Sequence, residues 1–260
     1  AEGKYNLIAA LVALLCSIFI QIGTNFTNDL YDHLKGADTK ERVGPKRALN
    51  EGWVTIPQMR FAIYFSFGLS FLLGLYLVYL SGPLILAIGI LSIIAGFLYT
   101  AGPFPLAYNG LGDLFVFLFF GLVGTVGTYF INTGHITSQA LISAIPVGAL
   151  VTNILVVNNY RDVEQDKKAG KKTLAVIFGK NFALAEYLIL LSSSFAVPLI
   201  MYAYYNVDAW VFLPYLTLPF AYKLIVMLLS LHGTELNSAL ELSAKLSALF
   251  GLLFSLGLCL

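Results

Sequence analysis

The sequence predicts an all-α integral membrane protein, a single multi-span helical bundle over residues 1–260. Three observations carry this. Of the 260 residues, 58% are hydrophobic and 11% charged, where ordinary soluble domains have about a quarter charged. The apolar residues gather into blocks near the roughly 20 needed to cross a bilayer. The links on one side are short turns without Lys or Arg, whereas two long basic segments fall on the other, as expected of a chain that weaves between two unlike faces.

Eight blocks follow in order, near residues 5–24, 58–80, 83–101, 112–131, 139–158, 182–204, 209–231 and 238–260. The first leads straight into a polar motif and has no small-residue cleavage site, so it reads as a retained span and not a secretory signal. The second and third are separated by "SGP", the fourth and fifth by "NTGH", and the sixth and seventh by "YNVD", all turn-forming punctuation. Polar segments at 33–57 and 159–181 separate the first from the second and the fifth from the sixth. Counting spans puts both polar segments on one side. Lys35, Lys40, Arg42, Lys46, Arg47, Arg60, Arg161, Lys167, Lys168, Lys171, Lys172 and Lys180 lie in or beside that side's segments, whereas the opposite turns contain no Lys or Arg and only Lys4 lies at an opposite end. By the excess of positive charge on cytoplasmic loops, the motif side faces the cytoplasm. Many of these cations need do no more than set that orientation. A net charge of +1 gives no basic field for nucleic acid. Cys16 and Cys259 sit in apolar runs without metal-ligand spacing and carry no redox signal.

The chemistry concentrates in "QIGTNFTNDLYDHLKGADTKERVGPKRA" (21–48) and "NNYRDVEQDKKAGKKTLA" (158–175). At ~100° per residue, Asn25, Asn28, Asp29 and Asp32 fall within an arc of ~100° on one helix face, and so do Asn158, Asn159, Asp162 and Asp166. The two constellations resemble copies of one element, each followed by Gly and a basic cluster, which suggests a duplicated bundle. A single Asp in such a place is most simply a helix cap or a loop solvator. Two matched sets on one membrane face ask for more, because carboxylates on one face repel unless a cation is usually present. Acids with amide helpers and no His or Cys make an all-oxygen site, the preference of hard cations, Mg²⁺ above all where phosphate completes the shell. The flanking Lys and Arg then suit phosphate. A diphosphate held beside a greasy bundle points to an amphiphilic donor such as an isoprenyl diphosphate, whose ionisation is helped by charge on the leaving group and by aromatic faces around the allylic cation.

These motifs, together with "YTAGPFPLAYNGLGDLFVFLFFG" at 99–121, resemble the UbiA-type intramembrane aromatic prenyltransferases over nearly the whole chain. The nearest likeness is to the subgroup acting on 1,4-dihydroxy-2-naphthoate in menaquinone synthesis. The resemblance implies a nine-helix bundle with a central cavity open to the cytoplasmic side, in the cell (inner) membrane. Only eight spans are counted, so the family's first helix has no counterpart in this stretch. It implies that Asp29, Asp32, Asp162, Asp166 and Asn25 hold Mg²⁺ and act in catalysis. Lys35, Arg42, Arg47, Arg161, Lys171 and Lys172 become candidate diphosphate contacts, with Asn28, Asn158 and Asn159 beside them. Tyr99, Tyr108 and Gln21 are candidates to line the cavity, although aromatic residues are common at bilayer interfaces in any case. The reaction implied is transfer of a polyprenyl group from polyprenyl diphosphate, with loss of CO₂ from the naphthoate, to give demethylmenaquinol.

Two other readings compete. The same fold and mechanism serves another acceptor (4-hydroxybenzoate, homogentisate or a chlorophyllide) or a phytyl donor. Alternatively the acids belong to a cation transporter, which would place them near midmembrane on broken helices and not at one mouth. Asp113 is read as a helix cap or an acceptor contact, Lys223 as a snorkelling or cavity-facing base and Glu241 with Lys245 as a helix pair. His33, His135 and His232 share no spacing and are assigned no catalysis.

Overall fold

The computed structural model describes residues 5–37 and 43–260. Among them no strand occurs. Two sets of four apolar helices follow one another along the chain. The first comprises α1 (Leu7–Leu34), α2 (Ile56–Ser81), α3 (Pro83–Leu98) and α4 (Gly112–Thr133). In the second, α5 (Ser138–Lys168) is followed by the short α6 (Leu174–Phe178), then α7 (Lys180–Tyr205), α8 (Ala209–Ser230) and α9 (Gly233–Cys259). Seven of these are long and apolar enough to cross a bilayer, and α3 is a shorter apolar helix of 16 residues. The protein is an integral membrane protein. All eight expected blocks are helices, but α1 and α5 run on about ten residues past the ends of their apolar blocks. Backbone hydrogen bonding does not stop where apolar side chains do, so both acidic motifs ride on about the last three turns of long helices.

Local chemistry sets the remaining boundaries. Asn6 caps α1 through Ala9 N–H, and Thr55 and Gln58 form a reciprocal capping box at the start of α2, which satisfies donors that the first turn leaves orphaned. Gly82, at φ +85°, separates α2 from α3, and Pro83 opens α3, because a positive φ costs glycine little and proline suits a first helical turn. In α4 the central stretch Phe117–Val126 is π-helical.

The two sets pack differently. The second is solid around Tyr187, Met201, Leu224, Leu246 and Phe250, each 2% exposed or less. The first has only two smaller clusters, one around Leu30, Met59, Ile63 and Phe67 and one around Ala9, Ala13, Leu77 and Ile85. Beside those clusters lies a cavity of about 820 Å³ walled by α1 to α5, with Leu240 of α9. The sets meet where α4 crosses α5 at Gly121 and Gly148, so closely that a Cβ on Gly121 would lie 2.7 Å from the Gly148 Cα. Only glycine permits that approach.

Candidate active site

The C-terminal turns of α1 and α5 come together at one end of the bundle, as span counting requires: Lys171, just past α5, places Nζ 3.1 Å from Asp32 Oδ2 on α1. A small polar cavity of about 130 Å³ lies between them. It is lined by Asn28, Asp32 and Arg47 from the first motif and by Asn158, Asn159, Asp162, Asp166 and Lys171 from the second, with Tyr99, Thr100, Asp113 and Gln165 completing much of the wall. Asn28, Tyr99, Leu155 and Asn158 also line the large apolar cavity, so the two spaces adjoin there.

Three loops hold this arrangement. The segment after the first motif turns back over α1 because Leu49 is buried against the Leu30, Met59, Ile63 and Phe67 cluster. Ala48 N–H then donates to Asp29 Oδ2 (3.0 Å), and Arg47 Nη2 stands 3.8 Å from Asp32 Oδ2. In the loop before α4, Tyr108 donates its hydroxyl proton to Asp32 Oδ1 (2.8 Å). Lys35 and Lys171 lie over the Tyr108 ring, 4.1 and 5.1 Å from its centroid, and Lys35 Nζ donates to the Thr100 carbonyl (2.8 Å). Partial burial lowers the pKa of Lys35, opposed by nearby Asp32 and reinforced by Lys171. The third loop, after α5, is tied to the second by Lys172 N–H donating to the Tyr108 carbonyl (3.0 Å). Gly110 keeps that approach possible: its φ is +75°, and a Cβ there would lie 3.3 Å from the Lys172 carbonyl oxygen.

On α5, Arg161 forks onto Asp162, with Nε 2.7 Å from Oδ1 and Nη2 2.6 Å from Oδ2. It also donates to Asn158 Oδ1 (2.8 Å) and to Asn237 Oδ1 on α9 (2.6 Å). Asn237 in turn donates to the Val43 carbonyl (3.2 Å), linking the two halves through the first loop. Arg161, 6% exposed, therefore spends its guanidinium on holding Asp162. Asn159 donates to Asp113 Oδ1 (3.4 Å), and Thr100 donates to Asn28 Oδ1 (2.8 Å).

Most of the expected residues converge. Asn25 and Gln21 line the apolar cavity, with Gln21 Nε2 3.4 Å from Asn25 Oδ1. Asp29 lines neither cavity, and Lys172 is exposed and also outside both. Arg42 lies outside the described residues. Tyr108 meets Asp32 without lining either cavity. Thr100, Gln165 and Asn237 were not anticipated. Gln165 sits beside Asp166 in the second motif, a signal of sorts, whereas Thr100 and Asn237 reach the site only through the tertiary fold.

The donor set suits a hard cation. The small cavity is lined by acids and amides with no His or Cys, and Asp29 Oδ1 is buried with no hydrogen-bond partner. Among the described residues no three His, Cys, Asp or Glu side chains close into a metal cage by themselves, so an Mg²⁺ held here would draw part of its shell from phosphate oxygens and water.

A polar, cation-suited pocket opening onto an apolar one within a membrane bundle defines a protein for amphiphiles with a charged head and a greasy tail. The comparisons give the particular family. The profile of the UbiA prenyltransferase family matches residues 1–249, and the chain belongs to that family. It is a prenyltransferase acting on a prenyl donor. A curated relative from Haemophilus influenzae, 1,4-dihydroxy-2-naphthoate octaprenyltransferase, is 38% identical over 98% of this chain and 85% of its own length. In fold, the chain is similar to the apo structure of a UbiA homolog from Aeropyrum pernix K1 (TM-score 0.74, 16% identity, 97% of this chain and 90% of that one). It is also similar to a UbiA homolog from Archaeoglobus fulgidus bound to DMAPP and Mg²⁺ (TM-score 0.61, 19% identity, 98% and 90%).

Proposed function

We propose that the chain transfers a polyprenyl group from polyprenyl diphosphate to 1,4-dihydroxy-2-naphthoate, releasing diphosphate and CO₂, from a site facing the cytoplasm. The observation that carries this is the junction at Asn28, Tyr99, Leu155 and Asn158, where the polar cavity meets the apolar one. The description of the Haemophilus relative supports the naphthoate as acceptor, and the basic residues gathered on the motif face support its cytoplasmic orientation.

In this reading Asp29, Asp32, Asp162 and Asp166, with Asn25 and Asn28 nearby, would hold Mg²⁺. Bound there, the ion would neutralise charge gathering on the leaving diphosphate. Lys35, Arg47 and Lys171 place positive charge beside the same carboxylates and orient the diphosphate oxygens. Tyr108 and Arg161 fix the Asp32 and Asp162 carboxylates by hydrogen bonds. The prenyl C–O bond breaks with its electron pair leaving on diphosphate, and the apolar walls keep water from the allylic cation. A ring carbon of the electron-rich hydroquinone supplies the pair for the new C–C bond. The carboxylate on that carbon departs as CO₂, and its bonding pair restores the aromatic ring. No protein nucleophile is required.

The test is to incubate the purified protein in lipid with Mg²⁺, labelled octaprenyl diphosphate and a panel comprising 1,4-dihydroxy-2-naphthoate, 4-hydroxybenzoate and homogentisate. Prenylated naphthoquinol with release of CO₂ is expected. Turnover confined to another acceptor would overturn the assignment. Asp32→Asn and Asp162→Asn should each reduce transfer by roughly a hundredfold or more, as loss of a charge-positioning group at a reacting centre does, and intact transfer in both would remove the carboxylates from the mechanism.

A further inference from the structure

The mechanism leaves one buried acid of the polar cavity unused. Asp113, in the first turn of α4, is 4% exposed and lines that cavity. Asp32 faces Lys171 and Arg47, and Asp162 is gripped by Arg161. No Lys or Arg pairs with Asp113 among the described residues. Its side-chain partner is Asn159, whose Nδ2 donates to Oδ1 over a long 3.4 Å, and Oδ2 has no side-chain partner among the described residues. The first turn of a helix favours negative charge, which eases the burial. A carboxylate can nevertheless accept more hydrogen bonds than Asn159 and its own backbone N–H supply. Buried acceptors short of donors are costly, so the position favours a ligand that brings one.

The place of Asp113 fits the acceptor. Gly112, the residue before it, has no side chain, and a Cβ there would lie 3.1 Å from the Tyr99 hydroxyl oxygen and 3.6 Å from Leu155 Cδ2. Tyr99 and Leu155 therefore cover the start of α4, and both line the polar and the apolar cavity. Asp113 thus stands where the two spaces adjoin. In the proposed transfer the diphosphate lies on the polar side of that junction and the prenyl chain on the apolar side, so the bond that breaks lies between them. The attacking ring must come to the same point. Attack draws on the hydroxyl ortho to the reacting ring carbon, because the lone pair of that oxygen feeds the carbon. An O–H brought to the junction is the donor that Asp113 lacks.

We propose that Asp113 is a catalytic residue of the transfer, which binds the hydroxyl next to the attacked ring carbon and takes its proton as the C–C bond forms. The inference rests on the proposed function in one respect, that the acceptor is a phenol. As ring electrons form the new bond, the oxygen lone pair closes to a carbonyl and the hydroxyl proton passes to Asp113 Oδ2. When CO₂ leaves, its bonding pair returns through the ring to that oxygen, which takes the proton back. Asp113 ends as the carboxylate it was at the start, and the proton count is unchanged.

The test compares Asp113→Asn and Asp113→Ala with the wild type, as the full chain in lipid. It measures kcat and KM for the acceptor at saturating labelled octaprenyl diphosphate, and separately the affinities for that donor and for Mg²⁺ without acceptor. Both variants should lose roughly a hundredfold or more in kcat, the usual share of a general base, while donor and Mg²⁺ affinities stay within about twofold. Sodium formate, a small carboxylate able to occupy the vacated space, should raise kcat of Asp113→Ala by about tenfold or more over sodium chloride at equal ionic strength. An unchanged kcat, or a formate effect no larger than that of chloride, overturns the proposal. So does a donor or Mg²⁺ affinity that falls along with kcat, which places Asp113 in the metal and diphosphate site. An Asp113→Ala protein that fails to fold binds no donor, and Asp113→Gly with formate, together with the isosteric Asp113→Asn, then decides. If the wild type prenylates 4-hydroxybenzoate or homogentisate and not the naphthoate, the acceptor assignment falls, and the same series on that phenol tests Asp113.

Discussion

At the scale of single residues, Asp29, Asp32, Asp113 and Asp162 are each held by an explicit partner. Asp32 takes a hydroxyl proton donor from Tyr108 and two cations from Lys171 and Arg47. Tyr108→Phe removes one hydrogen bond to a charged group, worth about 1.5–3 kcal/mol, and should lower kcat/KM by roughly one to two orders of magnitude while lowering the melting temperature in detergent by no more than that bond accounts for. A fall in stability with kcat/KM of the folded protein unchanged would assign Tyr108 to the fold and not to the site. The aspartates were legible in the sequence because helical spacing alone places Asp29 with Asp32, and Asp162 with Asp166, on single faces. Their supporters were not. Thr100 reaches Asn28 across 72 residues and Asn237 reaches Arg161 across 76, distances over which no local period gives a signal. Arg161 shows the same limit: its charge marks it for phosphate, yet packing commits its guanidinium to Asp162, Asn158 and Asn237.

At the scale of elements, hydropathy located all eight apolar helices, because a lipid-facing helix must be apolar whatever it packs against. It could not give the character of α4. The π-helical stretch Phe117–Val126 widens the turn, and two rows at spacing four face the large cavity: Phe115, Phe119, Val123 and Gly127, and Val116, Phe120, Gly124 and Thr128. Hydrogen-bond register responds to the crossing with α5 and not to composition, so the sequence carries only the glycines that permit the crossing. That crossing is a point of vulnerability. A Cβ on Gly148 would lie 2.9 Å from the Phe117 carbonyl oxygen and 3.1 Å from the Gly121 Cα, contacts with backbone that cannot swing aside. Gly148→Leu should destabilise the protein by about 1–3 kcal/mol or more through overpacking, seen as a lower melting temperature and reduced yield in membranes. Unchanged stability would mean that the two helices can separate at no cost.

At the scale of the whole molecule, the two sets of four helices follow one plan. Each begins with a long helix ending in an acidic motif, passes through a basic loop and continues with a helix of 26 residues. Paired motifs in the sequence hint at this duplication, but not at the division of labour in which one set is hollow and the other solid. The plan fixes which loops share a face. With Cys16 and Cys259 replaced by Ser, Cys introduced at Ile136 or Asp208 should react with a membrane-impermeant thiol reagent in intact cells, and Cys at Glu51 or Lys168 only after lysis. The reverse pattern would place the polar cavity on the outer side. The contrast between the sets also reaches into thermodynamics. Apolar walls that face a cavity and not one another contribute little cohesion of their own, so the solid set is the mechanical frame. In the proposed function a donor tail packs against those walls and so adds to the core, and by mass action such binding favours the folded chain. Donor supply and protein stability are then linked quantities, and purified protein given octaprenyl diphosphate should melt at a higher temperature than protein without it.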